Sequence, residues 1–365
     1  MEQEKLLLLP LKSSLSLSQE VNKHLKEWHP DKETFLVNAD CPRFGTGEGK
    51  GVIKESIRGS DLFLMVDVLN HSITYNMFGQ TQRMSPDDHY QDLKRIIAAC
   101  NGKAERITVI MPFLYESRQH RRQTRESLDC ALMLNELAQM GVNDILTFDA
   151  HDSRVQNSIP YHSLENVSPI LQFLETFLNA HKDIEIDKEK LVIISPDEGA
   201  TSRAIQLSTV LQVNMGMFYK QRDFSQVING RNPIIAHEYI GPEIQGKDAI
   251  VIDDMISSGD SMLDVCKQLK EKGAKNIYVF ATFGLFTNGF EKFDKAYEEG
   301  LIEKIFTTNL VYHQPELETK KWWCEVNMCK YVAYLVDTLN HDETISKLLD
   351  PSDRIKDILE KYNKK

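Results

Sequence analysis

The chain has 365 residues, which is enough for two domains of ordinary size. Hydrophobic residues make up 41% of it and charged residues 27%, the profile of a globular protein that dissolves in water. The net charge of −11 argues against a general nucleic-acid binder or a protein of anionic membranes, and it leaves room for a local basic pocket that binds a phosphorylated small molecule.

Neither a targeting segment nor a membrane helix is predicted. The apolar run 6–9 stops at Pro10 and is too short for a secretory signal, and no stretch approaches the roughly 18 apolar residues of a membrane span. The six cysteines show no metal-type pairing, so we expect reduced thiols in a cytoplasmic protein.

Apolar runs of strand length alternate with helix-length periodic segments along the chain. The predicted strands are Leu62–Val66, Ile107–Phe113, Asp144–Phe148, Leu191–Ser195, Asn214–Tyr219, Ala249–Ile252 and Ile277–Thr282. The predicted helices cover 86–100, 124–140, 168–181, 200–212, 260–272 and the charged stretch 341–363. This alternation predicts an α/β protein with two tandem domains, each an open, mainly parallel sheet flanked by helices.

The polar turn region 156–168 is the candidate seam between the two domains. We therefore expect domains at residues 1–165 and 166–320, followed by a partly helical extension at 321–365. In open α/β sheets, ligands bind beyond the carboxyl ends of the strands, so functional residues should follow the apolar runs.

The strongest motif covers residues 249–261, AIVIDDMISSGDS, in which a buried strand leads into two carboxylates and a turn of small residues that opens a helix. A helix N-terminus offers unpaired N–H groups and a positive dipole end, which suit a phosphate. Two adjacent carboxylates, Asp253 and Asp254, are suited to accept hydrogen bonds from vicinal sugar hydroxyls. A helix cap alone would need only one such residue.

This segment resembles the phosphoribosyl-diphosphate-binding motif of phosphoribosyltransferases and ribose-phosphate pyrophosphokinases. The resemblance implies that each domain has a phosphoribosyltransferase-like fold. It implies that Asp253 and Asp254 hold the ribose 2- and 3-hydroxyls. It also assigns the sugar 5-phosphate to Ser257, Ser258, Gly259 and Ser261. Asp260 departs from the family, in which many members have glycine, and we expect its side chain to point outward.

Two segments of the first domain resemble the pyrophosphokinase branch. Residues 111–122, MPFLYESRQHRR, resemble the strand-end segment that carries Arg-Gln-Asp-Arg-Lys, which implies ATP contacts by Arg118 and Gln119. His120 replaces the usual aspartate and receives no catalytic role. Asp149-Ala150-His151 resembles the family's Asp-Leu-His, which implies that His151 acts near the magnesium-bound triphosphate.

Two segments of the second domain also resemble this branch. Residues 195–200, SPDEGA, resemble the loop that binds diphosphate, which implies that Asp197 helps to hold Mg²⁺. Residues 219–222, YKQR, resemble the Lys-x-Arg of the mobile catalytic loop and lead into a polar stretch that ends near Lys247. Lys220 and Arg222 alternate with Gln221, so both project from one face of an extended strand.

A further match is Phe44-Gly45-Thr46-Gly47-Glu48, which resembles the family's adenine loop. Phe44 would stack on the base and Glu48 would accept a hydrogen bond, while Thr46 replaces the usual aspartate. In relatives this loop reaches the ATP site of a neighbouring subunit. All these matches lie between about residues 35 and 290.

The resemblance implies an enzyme that moves the diphosphate of Mg·ATP to ribose 5-phosphate, with Mg²⁺ as cofactor. Catalysis is assigned to Lys220, Arg222 and His151. Expected partners are ATP, ribose 5-phosphate and copies of the same chain in a dimer-based oligomer that can extend to a hexamer, with no nucleic acid and no membrane. Two alternatives stay open: a phosphoribosyltransferase, and a non-catalytic regulatory homologue suggested by the departures at Thr46, His120 and Asp260.

Overall fold

The computed structural model describes the backbone of residues 5–222 and 234–363 and the side chains of 5–219 and 238–362. The strands are β1 Lys5–Pro10, β2 Ala39–Asp40, β3 Val52–Ile53, β4 Ser60–Met65, β5 Thr74–Met77, β6 Gln80–Arg83, β7 Arg106–Ile110, β8 Asp144–Phe148, β9 Ser163–Val167, β10 Leu191–Ser195, β11 Asn214–Arg222, β12 Ile234–Ile240, β13 Asp248–Ile256, β14 Ile277–Gly284, β15 Lys304–Thr308 and β16 Trp323–Val326. The α-helices are α1 Leu15–Trp28, α2 Pro86–Cys100, α3 Asp129–Gln139, α4 Ile170–Ala180, α5 Thr201–Leu211, α6 Asp260–Glu271, α7 Glu291–Glu298, α8 Cys329–Asn340, α9 Ser346–Leu349 and α10 Ser352–Asn363.

The chain divides into two compact units. Unit 1 contains Met1–Pro169, Asn309–His313 and Asn327–Asp350, and unit 2 contains Ile170–Thr308, Gln314–Val326 and Pro351–Lys365. Residues 321–365, expected as one C-terminal extension, are therefore shared: 327–350 belong to unit 1, and 321–326 and 351–365 to unit 2.

Unit 1 is built on a parallel five-stranded sheet in the order β1-β4-β7-β8-β9. Strand β4 is buried along its whole length, as expected of a parallel strand with helices on both faces. Helix α2 begins sharply because Ser85 and Asp88 form a reciprocal capping box and Pro86 occupies the first turn.

Unit 2 is built on a seven-stranded sheet in the order β12-β11-β10-β13-β14-β15-β16, parallel except for the antiparallel β11–β12 pair. Every residue of β10 and of β14 is buried. Strand β13 lies between β10 and β14, so its carboxyl end is flanked on both sides. The predicted fold class, two open and mainly parallel sheets flanked by helices, is confirmed.

Several elements differ from the sequence-based prediction. The apolar run 6–9 lies within strand β1, which is buried against β4 and was not predicted, because only its apolarity marks it as a strand. The region 156–168, predicted as a polar seam, contains the edge strand β9. Edge strands have one neighbour only and keep polar residues, which explains why the pattern reads as a turn.

Two further segments have a secondary structure that differs from the prediction. The long loop predicted after Arg222 contains strand β12, and its residues 223–233 lie outside the described part of the chain. The helix predicted over 341–363 is split into α9 and α10 because Pro351 lacks the N–H that a continuous helix requires. No helix within residues 5–222 and 234–363 is both long enough and apolar enough to cross a membrane.

Candidate active site

Two neighbouring strands of unit 2, β10 and β13, bring the predicted sugar and diphosphate residues to one edge of the sheet. Ile194 of β10 pairs with Val251 of β13, so the loop after Ser195 starts close to the level of Asp253. Strand β13 is longer than predicted and continues through both carboxylates to Ile256. The carboxyl ends of parallel strands meet at one edge, which is where α/β sheets bind ligands.

Asp253 and Asp254 lie in a crowded anionic environment. Burial, reinforced by the negative charges of Asp254 and Asp197, raises the pKa of Asp253 well above its usual range. Arg203 of α5 compensates in part, because its guanidinium Nη2 lies 3.9 Å from Oδ2 of Asp254 and both side chains are almost fully buried. The site thus contains closely spaced carboxylates, and Arg203 places a positive charge beside them.

Sequence reasoning missed Arg203. The sequence signal was weak, because a lone arginine in the first turn of a helix, here α5, is typical of an exposed surface residue. A buried carboxylate such as Asp254 is nevertheless usually paired with a cation, and Arg203 of the helix that follows the diphosphate loop is such a partner.

The diphosphate loop is shaped by its own side chains. The hydroxyl of Ser195 donates to the carbonyl of Asp197 at 2.7 Å, and the N–H of Gly199 donates to Oδ1 of Asp197 at 3.0 Å. These bonds fold the loop tightly before α5 begins at Thr201. Asp197 is only partly buried, so its carboxylate remains accessible beside Asp253.

The predicted 5-phosphate residues form the turn between β13 and α6. Gly259 caps α6 with φ +83°, a left-handed conformation that favours glycine. A Cβ on Gly259 would lie 2.1 Å from the ring of Phe293, so space as well as conformation requires glycine here. Ser257, Ser258 and Ser261 surround this glycine in the sequence, at the N-terminus of a twelve-residue helix.

Asp260, the residue that departs from the family motif, forms an ion pair with Lys292 of α7. Lys292 and the hydroxyl of Ser258 both hydrogen-bond to this carboxylate and lower its pKa. The side chain of Asp260 is 61% exposed, which agrees with the outward orientation expected from the sequence. The negative charge beside the phosphate turn is therefore countered by a neighbouring lysine.

The backbone of β11 carries Lys220 and Arg222 beyond the same edge. Ser195, the last residue of β10, pairs with Met217, and β11 continues for five more residues to Arg222. Lys220 pairs with His237 of β12, and the register shifts between Gln221 and Arg222. The side chains of Lys220 and Arg222 lie outside the described part of the structure.

Two predicted ATP-site segments follow the neighbouring strands β7 and β8 of unit 1. Arg118 is exposed, and the side chain of Gln119 donates to the carbonyl of Ser127 at 2.9 Å. The rings of His120 and His151 lie 5.5 Å apart, and Nε2 of His120 lies 3.3 Å from Oδ2 of Asp152. The structure thus brings the segment around Arg118 together with the segment around His151.

The predicted adenine loop of unit 1 is closed by a bridge between Arg43 and Gly49. Phe44 is 56% exposed, its N–H donates to the carbonyl of Glu48 at 2.7 Å, and the Thr46 hydroxyl donates to the Glu48 carboxylate at 2.9 Å. Arg43 anchors the base of the loop through a bidentate ion pair with Asp92 of α2. Phe44 and Glu48 are therefore presented on a firmly held loop.

The adenine loop and the Arg118 segment contact different faces of α2. Arg43 binds Asp92, whereas the segment around Arg118 contacts α2 through Tyr115, whose hydroxyl donates to Asp87 at 2.6 Å and whose ring stacks on Tyr90. Asp87 and Tyr90 are three residues apart and share one face of the helix, while Asp92 lies on another. The two predicted ATP segments are therefore attached to different faces of α2.

The donor set in unit 2 fits a hard cation bound together with phosphate. Within the described ranges, no group of three or more His, Cys, Asp or Glu side chains is arranged to enclose a metal ion. Mg²⁺ is usually held by one or two carboxylates together with phosphate oxygens of the substrate. The accessible carboxylate of Asp197, close to Asp253, meets that requirement.

Comparisons with known proteins extend the match over most of the chain. Residues 6–141 match the N-terminal domain of ribose phosphate pyrophosphokinase, and residues 217–350 match the phosphoribosyl synthetase-associated domain. These ranges reach beyond both ends of the 35–290 resemblance read from the motifs, because strand β1 and helix α8 carry no motif of their own.

Similar proteins include ribose-phosphate pyrophosphokinase 2 of Schizosaccharomyces pombe, 26% identical over 84% of this chain and 87% of that protein. The ribose-phosphate pyrophosphokinase of Staphylococcus saprophyticus is 27% identical over 93% of this chain and 95% of its own length. The crystal structure of phosphoribosylpyrophosphate synthetase from Mycobacterium smegmatis shares the fold, with a TM-score of 0.75 and 20% identity over 93% of this chain and all of that one. The chain belongs to the ribose-phosphate pyrophosphokinase family.

Proposed function

We propose that the protein transfers the diphosphate of Mg·ATP to the 1-hydroxyl of ribose 5-phosphate, giving 5-phosphoribosyl 1-diphosphate and AMP for nucleotide biosynthesis. The observation that carries this proposal is the succession of half-buried Asp253, buried Asp254, left-handed Gly259 and the N-terminus of α6 at one edge of the sheet. Carboxylates suit the sugar hydroxyls, and the helix N-terminus suits the 5-phosphate.

In the proposed reaction the ribose 1-hydroxyl oxygen attacks the β-phosphorus of ATP. The bond between the β-phosphorus and the oxygen bridging to the α-phosphate breaks, AMP leaves, and the hydroxyl proton is released. Because no covalent enzyme intermediate is needed, catalysis rests on positioning and on stabilising charge. Asp253 and Asp254 orient the sugar, while Ser257, Ser258, Gly259 and Ser261 anchor its phosphate.

The remaining roles concern the triphosphate. Bound Mg²⁺ would neutralise charge on the ATP phosphates, with Asp197 and His151 as its protein ligands. Arg118 and Gln119 contact the nucleotide, and Phe44 and Glu48 recognise the base. Lys220 and Arg222 approach the β-phosphoryl group from the end of β11. These assignments rest on the match to the family motifs and on the strand-end positions of the segments.

A homo-oligomer is part of the proposal. The Phe44 loop and the Arg118 segment are attached to different faces of α2, so a complete ATP site is formed most directly by the loop of one copy and the strand ends of another. A cytoplasmic location is also proposed, supported by six cysteines that form no disulfide with one another.

One incubation tests the activity. Purified protein with ribose 5-phosphate, ATP and Mg²⁺ is expected to yield AMP and phosphoribosyl diphosphate, separated by ion-exchange chromatography. Omission of the sugar or addition of EDTA should abolish AMP formation. ADP as product would indicate an ordinary phosphotransferase. A phosphoribosyltransferase or a non-catalytic homologue would form no AMP from these substrates.

A further inference from the structure

The hairpin β5–β6 ends in a turn that its sequence does not favour. Its two turn residues, Phe78 and Gly79, have φ angles of +48° and +75°. A turn with both angles positive normally carries Asn-Gly or Asp-Gly. A bulky aromatic residue in the left-handed region is strained, and such strain tends to persist where a side chain has a functional task.

Neither packing nor turn formation explains the phenylalanine. The residue is 77% exposed, so its ring contributes little to any core. An asparagine would form the same turn with less strain and would remove an exposed apolar ring. The position therefore combines two costs, one in conformation and one in solvation.

The hairpin also contacts the loop 44–48 directly. The N–H of Phe78 donates to the carbonyl of Gly45 at 2.8 Å, next to Phe44 in the chain. The thioether of Met77 occupies the space above Gly47, where an added Cβ would lie 2.7 Å from its sulfur. At the base, the ring of Tyr75 lies 5.1 Å from the guanidinium of Arg43. The hairpin thus supports the loop from Arg43 to Gly47.

We propose that hairpin β5–β6 is a second element for recognising the nucleotide base, with Phe78 providing a stacking surface beside that of Phe44. The inference rests on the proposed function, because the loop it supports is the proposed adenine loop. Exposed aromatic rings stack on nucleobases without distinguishing strongly between them. Tyr75 and Met77 are positioning residues that hold the loop against the hairpin, whereas Phe78 would contact the base.

The variant Phe78→Asn separates this role from a structural one, because asparagine favours the turn and should leave thermal stability equal or higher. We expect KM for ATP to rise about tenfold while kcat and KM for ribose 5-phosphate stay within twofold. Phe78→Tyr, which keeps the ring, should retain the wild-type KM for ATP. Inhibition by tripolyphosphate, which has no base, should be the same in wild type and Phe78→Asn.

The opposing outcomes are distinct. An unchanged KM for ATP in Phe78→Asn overturns the proposal, as does an equal loss of affinity for ATP and tripolyphosphate. A change in oligomeric state by size-exclusion chromatography would instead identify Phe78 as a subunit contact and would also overturn it. Equilibrium dialysis with ATP and the same two variants measures base recognition without turnover. A wild-type protein that forms no AMP would refute the proposed function, and the binding measurement would still test the role of Phe78.

Discussion

At the scale of single residues, the carboxylates at the end of β13 carry the sugar assignment. Burial and neighbouring negative charges raise the pKa of Asp253, so these side chains are held in an arrangement that folding alone does not favour. Burying like charges together is typical of groups that serve a ligand. Their removal should therefore affect binding more than stability.

The double variant Asp253→Asn/Asp254→Asn should bind ribose 5-phosphate much more weakly, because each lost hydrogen bond to a charged group is worth about 1.5–3 kcal/mol. Isothermal titration calorimetry measures the effect. Thermal unfolding should show a melting temperature no lower than that of wild type, because repulsion is relieved. Asp264→Asn, an exposed carboxylate on α6, is the matched control. Unchanged affinity in the double variant would refute the assignment.

Asp67 of unit 1 provides a pH-dependent test of stability. Its carboxylate accepts hydrogen bonds from the N–H groups of Leu69 and Tyr312, yet burial raises its pKa from 3.8 to about 7. Between these two values the folded chain keeps a proton that the unfolded chain has released. The contribution of protonated Asp67 to the free energy of unfolding is therefore lost as the pH rises from about 4 to about 7.

Asp67→Asn removes this titration. The melting temperature of the variant, minus that of wild type, should become more positive between pH 5 and pH 8, as measured by circular dichroism. Asp353→Asn, whose carboxylate is 97% exposed on α10, should show no such trend. If the melting temperature of Asp67→Asn minus that of wild type is the same at pH 5 and pH 8, the buried carboxyl does not titrate in this range.

At the scale of elements, the β11–β12 pair and the turn before α6 carry most of the proposed phosphate chemistry. Strand β11 runs past the carboxyl end of β10 and so delivers the backbone of Lys220 and Arg222 to the site edge. Helix α6 begins at Asp260 with its amide groups directed at the proposed 5-phosphate position. Each element therefore supports a separate prediction.

Truncating Lys220 or Arg222 to alanine should lower kcat by roughly 10²–10³, with little change in KM for ATP, because contacts formed only near the transition state raise kcat alone. Steady-state kinetics at low and moderate salt measure this. Lys182→Ala, an exposed lysine after α4, is the control for general loss of positive charge. A modest rise in KM that fades with salt, with kcat preserved, would show that both cations only attract ATP.

The Asp260–Lys292 pair links α6 to α7 beside the phosphate turn. Asp260→Gly should be tolerated, with ribose 5-phosphate affinity changed less than tenfold (about 1.4 kcal/mol). Lys292→Met should weaken that affinity severalfold in the wild-type background, because it leaves the Asp260 charge uncompensated. In the Asp260→Gly background the same change should have little effect. Equal losses in both backgrounds would mean that Lys292 contacts the sugar phosphate itself.

At the scale of the whole molecule, two parts of the proposed ATP site are attached to different faces of α2. If the Phe44 loop serves a neighbouring copy, two differently impaired variants should complement each other. Phe44→Ala and Arg118→Ala, co-expressed with different tags and purified as mixed oligomers, should regain activity at roughly a quarter of their sites. Each variant alone is the control. Activity equal to the average of the two single variants would show that both parts act within one chain.

The order of residues alone was enough to predict the α/β class, the positions of most parallel strands and the motif at 249–261. Buried parallel strands such as β10 and β14 need apolar residues on both faces, and such continuous apolar runs can be recognised in the sequence. Phosphate turns need glycine and small residues at fixed positions after a strand, and Gly259 satisfies both conditions. Local requirements of this kind involve residues that are adjacent in the chain, so they can be recognised from the sequence.

Which distant residues share a site became clear only from the packing of the helices and strands. Arg203 and Asp254, like Lys292 and Asp260, are separated in sequence by more than one secondary-structure element, and nothing in their order pairs them. The edge strand β9 and the strained hairpin β5–β6 also escaped prediction, because they are short and rich in polar residues and so lack the apolar runs by which the other strands were recognised. Contacts between elements depend on how the helices and strands pack, and that packing fixes the charge balance around Asp254 and the support of the Phe44 loop.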